Sequence, residues 1–475
     1  MPERVRVTGA GGPAAAPALP DPRGAKPFFY AGLGGSGMSA LAQFQVMLGG
    51  HACGSDRAFD RGERDAARGQ LERLGIRVLP QDGSGLDERI AALVVSTAVE
   101  DTVPDVAAAK QLGIPIVHRS ELLAHFVERF RTIAIAGTSG KSTVVAMTFE
   151  ILRGTGRRPS VITGGDLVVL QSEGLWGNAF HGGSDLLVVE ADESDGSLVR
   201  YRPAVGVILN LQKDHAAMDQ VAAMFATFRE RTRERAVTGE AANLAALSRG
   251  AIVFGFGADA HVRGEQLELG PDASRFRVDG VEFRLPVPGR HNVENALAAI
   301  AACRTVGVAL EDMAAPLAAF RGVGRRFQPL GTARGVEVID DFAHNPAKIR
   351  AAIETARRRA RRVLAVFQPH GYGPTRFLWQ DFVEAFATAL GPADRLWMLE
   401  VFYAGGTATR DFSAADIVAD IRARGVHAEF AASRAGLAAR IAAEAAEGDL
   451  VIVMGARDPS LTDFARDVLA ALESP

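Results

Sequence analysis

The sequence predicts an α/β protein built from three domains. Short apolar runs alternate with segments of helical character along most of the chain, a pattern typical of parallel sheets covered by helices. Two of these runs end in glycine-rich turns, where doubly wound sheets place their ligand-binding loops. The length of 475 residues fits about three domains of ordinary size.

The predicted domains follow one another along the chain. Residues 1–26 are rich in Ala, Gly and Pro and predict a disordered leader. Residues 27–125 predict a Rossmann-like domain, because PFFYAGLGGSGM, IRVLP and ALVVSTAV indicate buried parallel strands. Residues 126–324 predict a central domain that opens at IAIAGTSGKSTV. Residues 325–475 predict a third, Rossmann-like domain, with VEVIDDFAHNP, RRVLAVFQPHGYGP and DLVIVMGARDP as strand-and-loop segments.

Composition argues against several classes of protein. The net charge of −3 argues against a broad nucleic-acid-binding surface, and the basic run at 356–362 is typical of the solvated face of an Ala-rich helix. Two distant cysteines, Cys53 and Cys303, give neither a disulfide framework nor zinc-ligand spacing. No apolar run approaches the roughly 18–20 residues that a membrane span needs. We therefore expect a cytoplasmic protein that binds neither nucleic acid nor membrane.

The segment IAIAGTSGKSTV (133–144) predicts a phosphate-binding loop. An apolar strand ends at Ala136, a glycine-containing turn follows, and Lys141 and Ser142 lead into a helix. Backbone N–H groups, the helix dipole and the lysine charge together favour an anion at such a place. The standard pattern has a glycine where this chain has Ile135, so the loop is a shortened form. The alternative is a surface turn with a solvated lysine.

A second glycine pattern, GLGGSGM (32–38), follows the first predicted strand. Gly32, Gly34 and Gly37 form G-x-G-x-x-G, and Asp56 lies at the end of the next strand, where such folds contact a ribose or a base. On their own these features suit a nicotinamide dehydrogenase. A dehydrogenase has no use for a second phosphate loop. We therefore favour two nucleotides, one that the reaction consumes and one that is attached to the substrate and serves to bind it.

Acidic and histidine residues follow two strands of the central domain. Glu190 and Asp192 end the run DLLVVEADESD, and His215 ends AVGVILNLQKDH. With the hydroxyl of Ser142 they predict a magnesium site, since Mg²⁺ prefers oxygen ligands and phosphate-loop hydroxyls commonly hold it. Histidine is a less typical ligand of Mg²⁺, so the alternative for His215 is a supporting or a core histidine.

Two further motifs indicate nucleotide contacts. GRHNVENALAAI places His291, Asn292 and Asn295 at a helix start, where amide side chains suit an adenine edge. The alternative is that Asn292 caps the helix. GVGRRF places Arg325 and Arg326 at the junction of the second and third domains, and an arginine from a second domain is a recurring partner of a γ-phosphate.

A sixth motif, DDFAHNP, follows a strand of the third domain and contains Asp340, Asp341 and His344. Together with GTSGKS, EADESD, N-L-x-x-D-H, GRHNVENA and GVGRRF, in this order and spacing, it makes the chain resemble the Mur ligase family. The resemblance covers nearly all of the chain beyond residue 26. Within the family, the chain is most similar to the branch that adds L-alanine, and next to the branch that recycles murein tripeptide.

The resemblance implies an N-terminal UDP-binding domain, a central ATPase and a C-terminal domain for the incoming amino acid. It implies an ATP-dependent, ADP-forming amide ligase of peptidoglycan precursor synthesis, with ATP and magnesium as cofactors. Such an enzyme joins an amino acid or peptide to the carboxylate of a UDP-N-acetylmuramate-type substrate through an acyl phosphate. A murein-peptide recycling ligase and a non-catalytic UDP-sugar-binding homologue on the same scaffold are the alternatives.

The resemblance also implies roles for individual residues. The implied catalytic residues are Lys141, Glu190, His215, Arg326 and His344. The implied ATP contacts are Gly137, Thr138, Ser139, Gly140, Lys141, Ser142, Thr143, His291, Asn292, Asn295, Arg326 and Asp341. The implied UDP-sugar contacts are Gly32, Gly34, Gly35, Ser36, Gly37, Met38, Asp56, Ser96 and Thr97. The implied metal ligands are Ser142, Glu190 and His215, and the implied acceptor contacts are Arg200, His344, Asn345 and Arg376.

The chain departs from the L-alanine-adding branch around the acceptor. Gly371 and Pro374 replace two arginines, while Asn345 and Arg200 each replace a histidine. Losing two arginine forks removes a carboxylate clamp, so we expect a small amino acid or peptide that need not be L-alanine. An unchanged preference for L-alanine is the alternative. We further expect a monomer or weak homodimer, with a hinge near Gly322–Arg325 that closes the domains over their ligands.

Overall fold

The computed structural model describes residues 19–212, 218–403, 409–458 and 460–474. The chain forms two compact units. The first runs to Arg129 and includes Ala179–His181, and the second comprises Phe130–Asn178 and the chain from Gly182 onward. Within the described ranges, the first unit is built on one sheet and the second on three, which confirms the α/β prediction.

The first unit contains the predicted Rossmann-like sheet. Its elements are β1 (Phe28–Ala31), α1 (Ser36–Met47), β2 (Ala52–Ser55), α2 (Arg57–Asp60), α3 (Asp65–Arg73), β3 (Arg77–Leu79), β4 (Ala92–Val95), α4 (Pro104–Leu112), β5 (Ile116–His118) and α5 (Arg119–Arg129). The strands are parallel and stand in the order β3-β2-β1-β4-β5. β1 is entirely apolar and buried, as a central parallel strand requires. The winding reverses between β1 and β4, where such sheets open a ligand crevice.

Ordered structure is present in part of the predicted leader and across the predicted boundary after residue 125. Residues 1–18 lie outside the described part of the chain. The Pro22 carbonyl accepts a hydrogen bond from Gln45 at 2.7 Å, and Lys26 donates to the Glu88 carbonyl at 2.9 Å, so residues 19–26 are held in place. The predicted boundary after residue 125 falls within α5.

The second unit begins with a parallel sheet that carries the phosphate loop. Its first elements are β6 (Arg131–Ala136), α6 (Lys141–Gly154), β7 (Ser160–Ile162) and α7 (Val168–Gln171). The next strand in the chain, β8 (Ala179–Phe180), belongs to the first unit. The second unit continues with β9 (Leu186–Glu190), β10 (Val205–Ile208), α8 (Met218–Arg231), β11 (Arg235–Gly239), β12 (Ile252–Gly255), β13 (Val262–Arg263), β14 (Glu265–Leu269), β15 (Ser274–Val278), β16 (Val281–Leu285), α9 (Arg290–Thr305) and α10 (Leu310–Ala318). The sheet order is β13-β12-β11-β10-β6-β9-β7. Because β6 lies between β10 and β9, the residues that follow these three strands meet at one edge.

A small antiparallel sheet of β14, β15 and β16 completes the central domain. Its strands alternate buried and exposed residues, as expected for a sheet with one solvated face. Phe276 and Phe283 stack across the strands with their ring centroids 5.4 Å apart.

The third domain forms a six-stranded sheet. Its elements are β17 (Gln328–Ala333), β18 (Val336–Asp341), α11 (Pro346–Arg357), β19 (Arg362–Gln368), α12 (Tyr372–Phe377), α13 (Trp379–Ala389), β20 (Arg395–Leu399), α14 (Ala414–Ala423), β21 (Ala428–Ala431), α15 (Leu437–Glu444), β22 (Asp449–Gly455) and α16 (Leu461–Glu473). The order is β17-β18-β22-β19-β20-β21, with β17 as an antiparallel edge strand. Apolar clusters cover both faces of this sheet, as its run of buried parallel strands requires.

A short linker joins the central and third domains. The N–H of Gly324 donates to the Asp166 carbonyl of the central domain at 2.8 Å. One residue later, the Arg325 carbonyl accepts from the N–H of Phe342 in the third domain at 2.7 Å. The linker therefore changes domain between Gly324 and Arg325.

Across the described ranges, every helix is too short or too polar to cross a membrane.

Candidate active site

The phosphate loop lies in the middle of the carboxyl edge of the central sheet. Gly137 has φ +146° and Gly140 has φ +85°, backbone conformations that other residues rarely adopt. A Cβ at Gly140 would lie 2.4 Å from Asn295 Oδ1, so glycine here allows α9 to approach the loop. The predicted ATP contacts of this segment lie on the turn or in the first turn of α6, namely Gly137, Thr138, Ser139, Gly140, Lys141, Ser142 and Thr143.

Lys141 is held by three oxygen acceptors. Its Nζ donates to the Gly137 carbonyl at 2.8 Å and to Glu193 at 2.6 Å, and it lies 3.3 Å from Asp192. Burial opposes the ammonium charge, but the attraction of Asp192, Glu193 and Glu190 outweighs burial and raises the pKa of Lys141 above its ordinary value. Lys141 is therefore a fixed positive charge at the loop.

Glu190 is oriented by three donors from two segments. One carboxylate oxygen accepts from Ser142 Oγ at 3.0 Å, from Thr163 Oγ1 at 2.9 Å and from the Gly164 N–H at 3.0 Å. The side chains gathered here offer oxygen ligands alone, the set that Mg²⁺ prefers. His215, the third predicted ligand, lies outside the described residues.

A magnesium site at Glu190 would need further ligands. Within the described ranges, no group of three or more His, Cys, Asp or Glu side chains could hold a metal ion. In phosphoryl transfer, Mg²⁺ is usually held by one or two carboxylates together with substrate phosphates and water.

Asn210 holds the phosphate loop, a role that the sequence analysis did not assign to this first residue of the N-L-x-x-D-H motif. Its Oδ1 accepts from Thr138 Oγ1 and from the Ser139 N–H, both at 2.9 Å, and its Nδ2 donates to the Ser139 carbonyl at 3.0 Å. Asn210 follows β10, which pairs with β6, so its side chain reaches the neighbouring loop. An amide at the end of a strand was the available signal.

The start of α9 brings one of three predicted residues to the loop. Asn295 lies against Gly140, as described above, whereas His291 is exposed in the first turn. Asn292 donates to the Pro288 carbonyl at 2.7 Å. The alternative that Asn292 caps the helix is wrong, because α9 begins two residues earlier and its cap is Gly289 with φ +98°.

Arg326 carries a positive charge from the linker towards Glu190. Its guanidinium lies over the Phe342 ring at 5.0 Å, and no hydrogen bond joins it to a described residue. Burial lowers the pKa of Arg326, while the attraction of Asp341 and Glu190 opposes that shift. The guanidinium is therefore available to a ligand between the two domains of this unit.

Asp341, a predicted ATP contact, fixes the backbone around Arg326. One carboxylate oxygen accepts from the Phe327 N–H and the other from the Ala343 N–H, both at 2.6 Å. Burial raises the pKa of Asp341, although Arg326 and these hydrogen bonds oppose the shift.

His344 and Asn345 lie together at the end of β18. His344 Nδ1 is 2.9 Å from the Phe342 carbonyl, and its ring lies 5.4 Å from that of His370. Burial, with repulsion from Lys348 and His370, lowers the pKa of His344 well below its ordinary value. Asn345 is 2% exposed and caps α11 by accepting from the Lys348 N–H at 3.0 Å, so its side chain already has a structural task.

The predicted acceptor arginines differ in setting. Arg376 pairs with Asp411 and lies over the Phe412 ring at 5.3 Å. Arg200 is exposed at the end of a short 3₁₀ helix after β9. The pairing of Arg376 means that an acceptor carboxylate would compete with Asp411 for it.

Gly371 and Pro374 have a local structural reason. Gly371 caps α12 with φ +70°, where glycine is favoured, and its N–H donates to the Phe402 carbonyl at 2.9 Å. Pro374 lies in the first turn of α12, where a missing N–H costs little. An arginine at 371 would have to adopt the left-handed region.

The first unit holds its own glycine loop in a different way. The Gly34 N–H donates to Asp56 at 2.8 Å, and the second carboxylate oxygen of Asp56 accepts from Ala58 at 2.8 Å. A Cβ at Gly37 would lie 2.9 Å from the Arg119 guanidinium. Of the remaining predicted contacts, Gly32 and Gly35 lie in this loop, Ser36 and Met38 lie in the first turn of α1, and Ser96 and Thr97 follow the adjacent β4.

Comparison with known proteins covers all three domains. The matching family models are "Mur ligase family, catalytic domain" at residues 30–131, "Mur ligase middle domain" at 135–303 and "Mur ligase, glutamate ligase domain" at 325–457. They agree with the three-domain organisation expected from the sequence.

Similar proteins extend over nearly the whole chain. A UDP-N-acetylmuramate–L-alanine ligase of Streptomyces avermitilis is 36% identical over 93% of this chain and 97% of its own length. A protein of the same name from Solibacter usitatus is 36% identical over 90% and 92%. The crystal structure of a UDP-N-acetylmuramate–alanine ligase from Thermotoga maritima matches with a TM-score of 0.79 and 26% identity, covering 94% of this chain and 99% of the other. A murein peptide ligase from Psychrobacter arcticus shares the fold, with a TM-score of 0.69, 20% identity and coverage of 95% and 99%. The chain therefore belongs to the Mur ligase family.

Proposed function

We propose that this chain is an ATP-dependent, ADP-forming ligase that joins an amino acid or peptide to the carboxylate of UDP-N-acetylmuramate in peptidoglycan precursor synthesis. Relatives of that name, similar over almost their entire length, support the reaction class. The observation that carries the proposal is the arrangement around the phosphate loop, where Glu190 accepts from Ser142 at 3.0 Å and Glu193 holds Lys141 at 2.6 Å, while the Arg326 guanidinium of the linker is attracted to Glu190.

The first step is transfer of the γ-phosphoryl group of ATP to the substrate carboxylate. A carboxylate oxygen attacks the γ-phosphorus, the bond to the β–γ bridging oxygen breaks, and an acyl phosphate and ADP result. Enzymes accelerate such transfers mainly by positioning and by fixed positive charge. Lys141 and Arg326 supply that charge.

The contacts of Lys141 indicate how it would take a phosphate oxygen. An ammonium group has three donors, and here they face Gly137, Glu193 and Asp192. The side chain of Asp192 is 39% exposed and that of Glu193 is 4% exposed. We infer that a γ-phosphate oxygen displaces Asp192, while Glu193 and the Gly137 carbonyl keep Lys141 in place.

Ser142 and Glu190 are the residues that would hold Mg²⁺. The ion, when bound, offsets negative charge on the phosphate oxygens. Thr163 and the Gly164 N–H fix the Glu190 carboxylate, so that it need not reorganise when a nucleotide arrives.

The second step is attack of the acceptor amine on the acyl carbon, with inorganic phosphate as the leaving group. The nitrogen must lose a proton as the amide forms. A neutral imidazole can accept a proton, and burial keeps His344 neutral near pH 7, although its lowered pKa also makes it a weaker base than a free histidine. We propose His344 as a proton acceptor on the third domain.

The acceptor is proposed to be a small amino acid or peptide rather than L-alanine alone. Gly371 and Pro374 stand where the L-alanine-adding branch has arginines, and Arg376 is already paired with Asp411. An incoming carboxylate would therefore have fewer guanidinium groups to bind in this chain than the two arginines provide in the L-alanine-adding branch.

The test is release of ADP and phosphate from ATP, Mg²⁺ and UDP-N-acetylmuramate, with L-alanine, glycine, L-serine and murein tripeptide as separate acceptors. Acceptor-dependent ADP release with amide formation is expected. Absence of ADP with every acceptor, while UDP-N-acetylmuramate still raises the melting temperature, would support an inactive binding protein instead. If kcat/KM for L-alanine exceeds the others by more than about tenfold, roughly 1.4 kcal/mol, the altered-acceptor proposal fails.

A dehydrogenase is disfavoured by the phosphate loop of the central domain, because hydride transfer needs neither Lys141 nor the Ser142–Glu190 contact. Nicotinamide dinucleotides are expected to give no thermal shift.

A further inference from the structure

We propose that Arg325 and Phe342 are positioning residues that hold the Arg326 guanidinium in place for phosphoryl transfer. This inference rests on the proposed ligase function. It concerns two residues that have no contact with the phosphate loop themselves but that fix the one arginine reaching towards it from the linker.

Arg325 is anchored in the third domain. Its Nε lies 3.3 Å from Asp340, and its Nη2 donates to the Gly455 carbonyl at 2.8 Å. Asp340 has no exposed surface and also accepts from Thr462 Oγ1 at 2.6 Å. The guanidinium fork is thus tied to the ends of two adjacent strands, β18 and β22.

The backbone of Arg325 is held as firmly as its side chain. Its φ is +57°, a conformation uncommon for a residue with a side chain. The Arg325 N–H donates to Gln328 Oε1 at 2.8 Å, and its carbonyl accepts from the Phe342 N–H at 2.7 Å. Unfavourable backbone angles persist where the surroundings over-determine them, and they concentrate at functional sites. The direction in which the chain enters Arg326 is therefore set by the third domain.

The Phe342 ring connects the two arginines. The Arg325 guanidinium lies 5.1 Å from its centroid, and the Arg326 guanidinium lies 5.0 Å from it. Both distances fall within the range of cation–π attraction. Since the Arg326 guanidinium makes no hydrogen bond to a described residue, this ring is its main orienting contact apart from the carboxylates of Asp341 and Glu190.

These contacts assign separate tasks to neighbouring residues. Arg326 contacts the ligand, whereas Arg325 and Phe342 fix the position of the Arg326 guanidinium. Loss of either positioning residue should weaken charge stabilisation in the transition state and leave ground-state binding nearly unchanged, because a misplaced arginine costs rate more than affinity.

The experiment compares Phe342→Leu and Arg325→Lys with two matched controls. Phe342→Tyr keeps the ring. Arg334→Lys alters another arginine with positive φ (+52°) that donates to a backbone carbonyl, that of Ala442, in the third domain. We expect kcat to fall about tenfold in Phe342→Leu and Arg325→Lys, as loss of a partly desolvated cation–π contact suggests. KM for ATP and for UDP-N-acetylmuramate should stay within about threefold, and both controls within about twofold of wild type.

A binding measurement separates positioning from folding and from the proposed function. Affinity for ADP with aluminium fluoride, which mimics the transferring phosphoryl group, should fall by a factor similar to kcat, while affinity for ADP alone should not. An unchanged kcat in Phe342→Leu and Arg325→Lys, or a loss in Phe342→Tyr as large as in Phe342→Leu, would overturn the inference. If wild type released no ADP, the ligase proposal would fail, and the aluminium fluoride comparison would still decide whether these residues position Arg326.

Discussion

The two glycine loops of this chain share one local arrangement, but neighbouring carboxylates bind the backbone of the first loop and the side chains of the second. Each follows a buried parallel strand and leads into a helix whose cap is a glycine without a side-chain hydrogen bond. In the first loop, the carboxylate of Asp56 accepts a hydrogen bond from the backbone N–H of Gly34. In the second loop, carboxylates accept from side chains instead. Glu193 accepts from the ammonium group of Lys141, and Glu190 accepts from the hydroxyl group of Ser142. The two loops therefore share a strand, a turn and a helix, and we propose that their side chains separate a loop that holds the UDP-sugar from one that reacts with ATP.

The test with the largest expected effect removes the positive charge of Lys141, which has no counterpart in the first loop. Lys141→Ala should lower kcat at least about a hundredfold, since it removes a preorganised positive charge from the transferring phosphoryl group. Binding of UDP-N-acetylmuramate, measured by calorimetry, should not change. Lys110→Ala, an exposed lysine of the first unit, is the control. A normal kcat in Lys141→Ala would show that the second loop is not the reacting one.

A second test addresses the Ser142–Glu190 contact. Glu190→Gln keeps a hydrogen-bond acceptor but loses the charge, so we expect the Mg²⁺ concentration for half-maximal activity to rise roughly tenfold or more, with a lower kcat at saturation. A Mg²⁺ titration of ADP release measures both. An unaltered Mg²⁺ dependence would exclude Glu190 as a ligand.

A third test loosens the first loop. Asp56→Ala removes the partner of the Gly34 and Ala58 N–H groups, including a helix cap of about 1 kcal/mol. KM for UDP-N-acetylmuramate should rise about tenfold, and KM for ATP should remain the same. Asp82→Ala removes a similar turn carboxylate of the same unit and serves as control. Equal effects of Asp56→Ala on both substrates would contradict separate tasks for the two loops.

The smallest effect is on stability and concerns the helix behind the second loop. Burial raises the pKa of Glu150 on α6 from 4.5 to about 7. The folded state therefore binds more protons than the unfolded state between these values, so the Glu150 contribution to stability is lost as pH rises towards 7. Glu150→Gln should raise the free energy of unfolding relative to wild type by about 1–3 kcal/mol at pH 8 and by less at pH 5.

Urea unfolding at both pH values measures this difference, with kcat expected to stay within about twofold. Glu311→Gln, an exposed residue on α10, is the control and should show no pH-dependent gain. An equal gain from Glu150→Gln at both pH values would argue against titration of Glu150.

Local signals in the sequence were enough to predict much of the fold and part of the site. Apolar runs bounded by glycine marked the parallel strands, and Lys141 and Ser142 were found because a phosphate loop is contiguous. Asn210 and Glu193 were missed because their tasks depend on the pairing of β10 with β6 and on the direction of a side chain after β9, neither of which is local. The alternative cap at Asn292 failed because the backbone of Gly289 sets the helix start.

The linker has a mechanical consequence. Gly324 is tied to the central domain through Asp166, and Arg325 is tied to the third domain through the N–H of Phe342. A turn of one domain against the other would have to change the backbone torsions between those two bonds and would strain the 3.2 Å hydrogen bond from the Arg326 N–H to the Val323 carbonyl that spans them. Because Arg326 follows these torsions immediately, such a turn would move it through a short arc while the far end of the third domain moves through a long one.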